Sequence, residues 1–274
     1  MINQNTVAQN ICFQGRGLHT GQDVHLCIKP APENTGIVFR RMDAGIDISA
    51  AADNIIDDFL RRTTISSGGV NVNTIEHLMV VFSVLGIDNA IVEIDAEEVP
   101  GMDGSAKIFY EKIRAAGTVP QDMNRIYKII KSPFYVCRGD SVAVILPYDG
   151  FKISYTLDYP QPEIGSGFYE VDMADTEKIE QLVCARTFCL ESEALKLRGM
   201  GLGKGADYTN TLVVGHDGPI DNDFRFKYEL AAHKTVDMIG DLYIAGPVKG
   251  HVVALRCGHG INAQIVKLLA KERI

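Results

Sequence analysis

Over the first seventy residues the apolar positions follow a period of two, and from Asn73 onward they shift to helical spacing. Val24-His25-Leu26-Cys27-Ile28 alternates apolar with polar and predicts a strand with one buried face. A second strand is expected at Gly36-Ile37-Val38-Phe39, after the turn at Pro30-Ala31-Pro32. Residues 63–73, divided by Gly68-Gly69, predict a hairpin. Ile75, Leu78, Met79, Phe82 and Leu85 then fall on one helical stripe that stops at Gly86. A strand over 90–96 and a helix over 105–116 complete the first half.

The second half repeats the ending of the first. Strands are expected over 126–130 and 141–146, then a helix over 228–245, a strand over 251–257 and a last helix over 261–271. His77 to Asp103 spans 26 residues, and so does His233 to His259. That equality predicts a duplicated α+β unit whose copies face each other across a site. The fold class expected is therefore α+β, with two similar domains, each a sheet layered with helices, and the site at their interface. Residues 117–125 are polar and carry Gly and Pro near the midpoint, which sets the domains at 1–121 and 126–274.

Composition narrows the function classes. The chain has 274 residues and a net charge of -8, with no basic block to offset the acidity, so a nucleic-acid-binding face is not expected. Local Lys and Arg can still serve one pocket for a small anion. The six cysteines form no C-x-x-C pair, which favours free thiols in a reducing compartment. The first ten residues lack an apolar signal core, and the run 78–85 is too short to span a bilayer. A cytoplasmic protein without stable membrane insertion is the expectation.

The chemistry-bearing residues cluster in a few segments. His233 and Asp237, at i and i+4, share a helical face and can reach one ion; a solvated hydrogen-bonded pair is an equally open reading. His77 could add a third ligand and leave a fourth position open. Glu76 beside it could take a proton from water, or it could close a capping box with Asn73. Asp241 lies too far along the helix to share the ion easily and is better placed to orient an imidazole. His259, between Gly258 and Gly260, is either a cleft-facing proton donor or a loop residue without a task. The glycine-rich stretch 199–205 lacks Walker spacing and reads as a flexible turn.

Taken together, Gly17-Leu-His-Thr-Gly21, Thr74-Ile-Glu-His-Leu78, Met102-Asp-Gly-Ser-Ala106, Ala185-Arg-Thr-Phe188, His233-Lys-x-x-Asp237-x-x-Gly-Asp241 and Gly258-His259 run in this order over almost the whole chain. This series resembles the UDP-3-O-acyl-N-acetylglucosamine deacetylase family of lipid A synthesis. The resemblance implies that His77, His233 and Asp237 hold Zn²⁺, with Fe²⁺ as the alternative ion, and that Glu76 is the general base on water. It implies that Thr187 helps stabilise the oxyanion, that Lys234 supplies positive charge, and that His259, held protonated by Asp241, donates to the leaving amine. Leu18, Thr187, Phe188, Lys234 and Arg256 are the implied contacts to the UDP-3-O-acyl-N-acetylglucosamine substrate, with Phe168 a weaker candidate for stacking on uracil. An insert around 187–210, with Leu190 and Leu195, would line the acyl passage. The protein is expected to be a monomer. The alternatives are a zinc hydrolase of another N-acyl sugar and a non-catalytic binding module.

Overall fold

The computed structural model describes residues 2–56 and 61–271, and within them the two halves build the same five-strand order twice, with the short strand Lys128–Ile129 added to the second sheet against Val248–Leu255. In the first half the strand order is Ile11–Arg16, Asp23–Pro30, Ala90–Ile94, Ile37–Arg41, Ile46–Ser49. In the second it is Phe134–Arg138, Ser141–Leu146, Val248–Leu255, Phe151–Asp158, Ser166–Asp172. In each sheet the strand that arrives last in sequence takes the centre. It pairs antiparallel on one side and parallel on the other. The fold is α+β, and its duplication is visible in topology.

Among the described residues six α-helices accompany the sheets: α1 (Glu76–Leu85), α2 (Lys107–Ala116), α3 (Thr176–Leu182), α4 (Glu191–Gly199), α5 (Glu229–Tyr243) and α6 (His259–Lys271). In each half a helix leads into the central strand, and another leaves it. α1 precedes Ala90–Ile94 and α2 follows; α5 precedes Val248–Leu255 and α6 follows. The two leading helices, α1 and α5, pack directly on each other. Their contact is close enough that a Cβ on Gly240 would lie 2.2 Å from the Glu76 carbonyl oxygen, so the position requires glycine.

The period-two reading of Val24, Leu26 and Ile28 holds, since all three are fully buried while His25 is exposed. The expected hairpin pairs Thr64–Ser67 with Val70–Asn73. Gly68 (φ 58°) and Gly69 (φ 80°) occupy the left-handed turn that matches strand twist. Apolar residues of both halves form one continuous core, from Val24, Phe39 and Leu78 to Val236, Ile239 and Val252. No helix among the described residues is long and apolar enough to cross a membrane.

Three expectations change. Residues 118–124, placed at the boundary, form a strand paired antiparallel with Asn3–Val7, which ties that segment back to the start of the chain. Cys12 and Cys27, expected as free thiols, are directly opposed across the Ile11–Arg16/Asp23–Pro30 ladder and form a disulfide. The pairing follows from strand register, which sets positions 12 and 27 opposite each other on adjacent strands. The other four cysteines are free. Helix α6 starts at His259 rather than 261, so that histidine sits in a first helical turn and not in a loop.

Candidate active site

The site forms where the N-terminal turn of α1 meets the middle of α5. Asn73 ends a strand, and Thr74 adopts φ 58° before α1 begins. A positive φ in a β-branched residue is strained and needs support from its surroundings. That support is a hydrogen bond from the buried Thr74 hydroxyl to Glu98 Oε1 (2.9 Å). The Glu98 carboxylate also accepts from the amides of His19 and Thr20, so it joins the loop 17–21 to the start of α1.

Glu76 is buried and does not cap its helix: no side-chain cap hydrogen bond occurs at that end, and Glu76 Oε2 accepts the Thr63 amide (3.1 Å). The capping alternative is thereby removed. His77, one residue on, meets α5 from the other side.

On α5, His233 Nδ1–H donates to the Ala185 carbonyl (3.2 Å), which leaves Nε2 unprotonated and turned toward Asp237. His77 Nε2 and His233 Nε2 lie 3.8 and 3.3 Å from Asp237 Oδ1. That buried oxygen has no hydrogen-bond partner among the described residues. The other carboxylate oxygen, Oδ2, accepts from Lys234 Nζ (2.7 Å). Two imidazole nitrogens and one orphaned carboxylate oxygen converge within 4.8 Å of one another, a donor set that suits a divalent ion such as zinc. Leaving a buried carboxylate oxygen unpaired is costly, and an ion would satisfy it.

Charge states fit this use. Burial, and then the neighbouring His233, holds His77 down to about 3, so its ring is neutral. Burial likewise lowers His233. Burial would raise Asp237, but the surrounding His233 and Lys234 hold it well below the usual carboxylate range. Glu76 is pushed up to about 8 by burial, against the opposing pull of His259. A cation at the adjacent donor set would oppose that rise and favour a carboxylate of raised basicity.

His259 faces Glu76 across the cleft, with Nε2 4.0 Å from Glu76 Oε1 and 3.8 Å from Asp237 Oδ2. Its Nδ1–H donates to Asp241 Oδ2 (2.9 Å). Burial would lower its pKa, but the Asp241 carboxylate outweighs burial and raises it to about 9. Asp241 therefore orients an imidazole and stays outside the ion-binding set. Asp103, the counterpart of His259 by equal spacing, is instead engaged by Arg225 (2.8 Å), so the 26-residue match does not extend to chemistry.

The cavity over these residues measures about 380 Å³ and is lined also by Leu18, Thr187, Phe188, Lys234 and Arg256. The Thr187 amide is held by Gly104, while its hydroxyl has no partner among the described residues and is free for a ligand. Phe168 is elsewhere: it is exposed on the Ser166–Asp172 strand and does not line the cavity. In the segment 187–210, a second, more apolar cavity of about 370 Å³ is lined by Cys189, Leu195, Leu197 and Val213. Leu190 is core and not lining, because it lies on the buried side of its short strand. Sequence reasoning missed Thr63, Asn262, Arg61 and Arg138. Thr63 sits at the start of the hairpin and carries no spacing signal, whereas Asn262, three residues after His259 on α6, donates to Asp241 Oδ2 (2.8 Å) and was within reach of helical periodicity.

A family model described as UDP-3-O-acyl N-acetylglycosamine deacetylase matches residues 4–271. The chain is 41% identical over 278 residues to the UDP-3-O-acyl-N-acetylglucosamine deacetylase of Saccharophagus degradans, covering 99% of this chain and 91% of that one. It is 39% identical over 276 residues to the protein of the same name from Geobacter sp. strain M21, covering 99% and 90%. It is 37% identical over 267 residues to that of Anaeromyxobacter dehalogenans, covering 97% and 86%.

Proposed function

The chain belongs to the UDP-3-O-acyl N-acetylglycosamine deacetylase family of metal-dependent hydrolases, and from that premise we propose its substrate, its ion and the role of each site residue. The reaction is hydrolysis of the acetamide of UDP-3-O-acyl-N-acetylglucosamine to UDP-3-O-acyl-glucosamine and acetate, a step of lipid A synthesis, carried out in the cytoplasm by a monomer. The observation that carries this reading is the orphaned Asp237 Oδ1 between two imidazole nitrogens, with a base and an acid on either side.

His77, His233 and Asp237 would hold Zn²⁺, or Fe²⁺ in its place. When bound, the ion supplies Lewis acidity that polarises an acyl carbonyl and makes water a better nucleophile. Glu76, buried and fixed through the Thr63 amide, takes a proton from water as its oxygen bonds to the acetyl carbon. Thr187 offers its hydroxyl to the oxygen that gains charge. His259 then delivers the Nε2 proton to the sugar nitrogen as the carbon–nitrogen bond breaks, and acetate leaves. Asp241 favours the protonated ring and so keeps the donor loaded. Lys234 neutralises Asp237 Oδ2 and places positive charge at the cleft.

Recognition follows from charge and shape. The chain is acidic overall, yet Arg61, Arg138 and Arg256 each line the cavity, and although Arg61 also meets Glu193 and Arg256 meets Asp158, guanidinium groups on its wall suit the phosphates of a nucleoside diphosphate. The apolar cavity of the 187–210 segment suits a fatty acyl chain.

Metal analysis and deacetylation assays on UDP-3-O-acyl-N-acetylglucosamine test this reading. Wild type should carry about one ion per chain, and His77→Ala should lose it. Glu76→Gln should keep the ion while turnover falls about 100-fold or more. Metal-free wild type, or Glu76→Gln at full turnover, would refute it.

A further inference from the structure

One residue touches both members of the acid–base pair. The Thr63 amide donates to Glu76 Oε2 (3.1 Å), and its hydroxyl donates to Asp241 Oδ1. The same hydroxyl oxygen lies 3.0 Å from His259 Nδ1. Thr63 is buried, just before the Thr64–Ser67 strand, and is linked to that hairpin covalently, far in sequence from α5 and α6.

We infer that Thr63 is a positioning residue that sets the relative placement of the base Glu76 and the acid His259. The argument runs through hydrogen-bond capacity. Asp241 Oδ2 already accepts two donors, from His259 and Asn262. Oδ1 takes the Thr63 hydroxyl proton, which fixes the rotation of that hydroxyl and turns its lone pairs toward His259 Nδ1–H. The imidazole is thus held from two directions at Nδ1, and its Nε2 is aimed at the cleft opposite Glu76. Because the amide of the same residue holds Glu76, a shift of the 63–64 segment would move base and acid together. A carboxylate and an imidazole carried on separate helices, α1 and α6, have no direct hydrogen bond to keep them in register. At 4.0 Å the two groups are too far apart for a direct hydrogen bond yet near enough to flank one reacting group beside them, and Thr63 links them from behind.

Two substitutions separate placement from bulk structure. Thr63→Val keeps the shape and the amide but removes the hydroxyl, and Thr63→Ser restores it. Loss of a partner behind a metal-site group costs about 10–100-fold. Thr63→Val is therefore expected to lower kcat about 10-fold with KM within about 2-fold and unchanged metal content, while the thermal midpoint falls by roughly 2–8 °C because the buried Asp241 Oδ1 loses its donor. Thr63→Ser should recover most of the kcat. A second readout needs no turnover: in ¹⁵N-histidine spectra of the metal-free protein, the Nδ1 resonance assigned through His259→Gln should shift in Thr63→Val and return in Thr63→Ser. Since this inference rests on the proposed deacetylation, wild type is the control: absence of wild-type turnover would count against the function, not against Thr63. Wild-type kcat in Thr63→Val with an unmoved Nδ1 resonance would overturn the positioning role. So would equal losses in Val and Ser variants.

Discussion

Replacing Gly240 with alanine puts two opposing effects in one residue. In an unobstructed helix interior, Gly→Ala stabilises by about 1 kcal/mol, because alanine loses less backbone entropy. At Gly240 the added Cβ would lie 2.2 Å from the Glu76 carbonyl oxygen, 2.9 Å from its carbonyl carbon and 3.1 Å from its Cα. All three are backbone atoms, so no side-chain rotation can relieve the overlap. Carbon and carbonyl oxygen approach to about 3.3 Å, so α1 and α5 must separate by about 1 Å. Overpacking costs about 1–3 kcal/mol, and because only backbone can yield here the upper part of that range, about 2–3 kcal/mol, applies and exceeds the helix gain. The net expectation is destabilisation by about 1–2 kcal/mol, or a fall in Tm of roughly 2–8 °C for a chain of this size. The same displacement carries Glu76 and His77 away from His233 and Asp237, and metal affinity should weaken about 10-fold or more. Calorimetry and metal titration on Gly240→Ala would measure both, with Gly199→Ala as control, since a Cβ there meets nothing within 4 Å. A Gly240→Ala protein as stable as wild type, binding metal normally, would refute the packing argument.

Two further outcomes follow from buried charge. Glu229 is buried and accepts from Arg186 Nε (2.8 Å), the Arg186 amide and the Arg225 amide, which ties the segment before Thr187 to α5. Glu229→Ala leaves the buried guanidinium with only its neutral partners, Asn222 and the Asp223 carbonyl, and should cost about 3–5 kcal/mol in urea unfolding; a loss below about 1 kcal/mol would show the pair to be dispensable. His259 has its folded pKa raised to about 9 from an ordinary 6.5 by Asp241 against burial, so it favours the folded state fully below pH 6.5. Above 6.5 the unfolded chain loses its proton first, and the contribution declines until it vanishes above about pH 9. In the metal-free protein, the stability advantage of wild type over His259→Gln should shrink across that window. A constant difference from pH 6 to 10 would contradict the shift.

The periodic segments were legible because local physics decides them. The alternation at Val24, Leu26 and Ile28 and the stripe at Leu78, Met79 and Phe82 each commit one face to the core, whatever their partners are. The i,i+4 spacing of His233 and Asp237 likewise follows from helical geometry, and the motif series was enough to identify the family resemblance. Irregular and long-range features were less visible. The strand at 118–124 carries Pro and polar residues, and its pairing with Asn3–Val7 depends on a partner over a hundred positions away.

The sequence by itself therefore determined the α+β class, the duplicated order of elements, and which residue types could bind a metal or move a proton. Tertiary structure decided which of those residues meet. Whether Glu76 caps a helix or faces the cleft depends on the Thr63 amide, which only hairpin packing brings near. Whether His233 and Asp237 form a surface pair or a donor set depends on His77 arriving from α1, across a helix contact that glycine at 240 permits. The disulfide of Cys12 and Cys27 depends on strand register. In each case the deciding partner lies on a separate element of the fold. Spacing encodes the direction of a side chain along its own element, and only packing of separate elements fixes the distance between two of them.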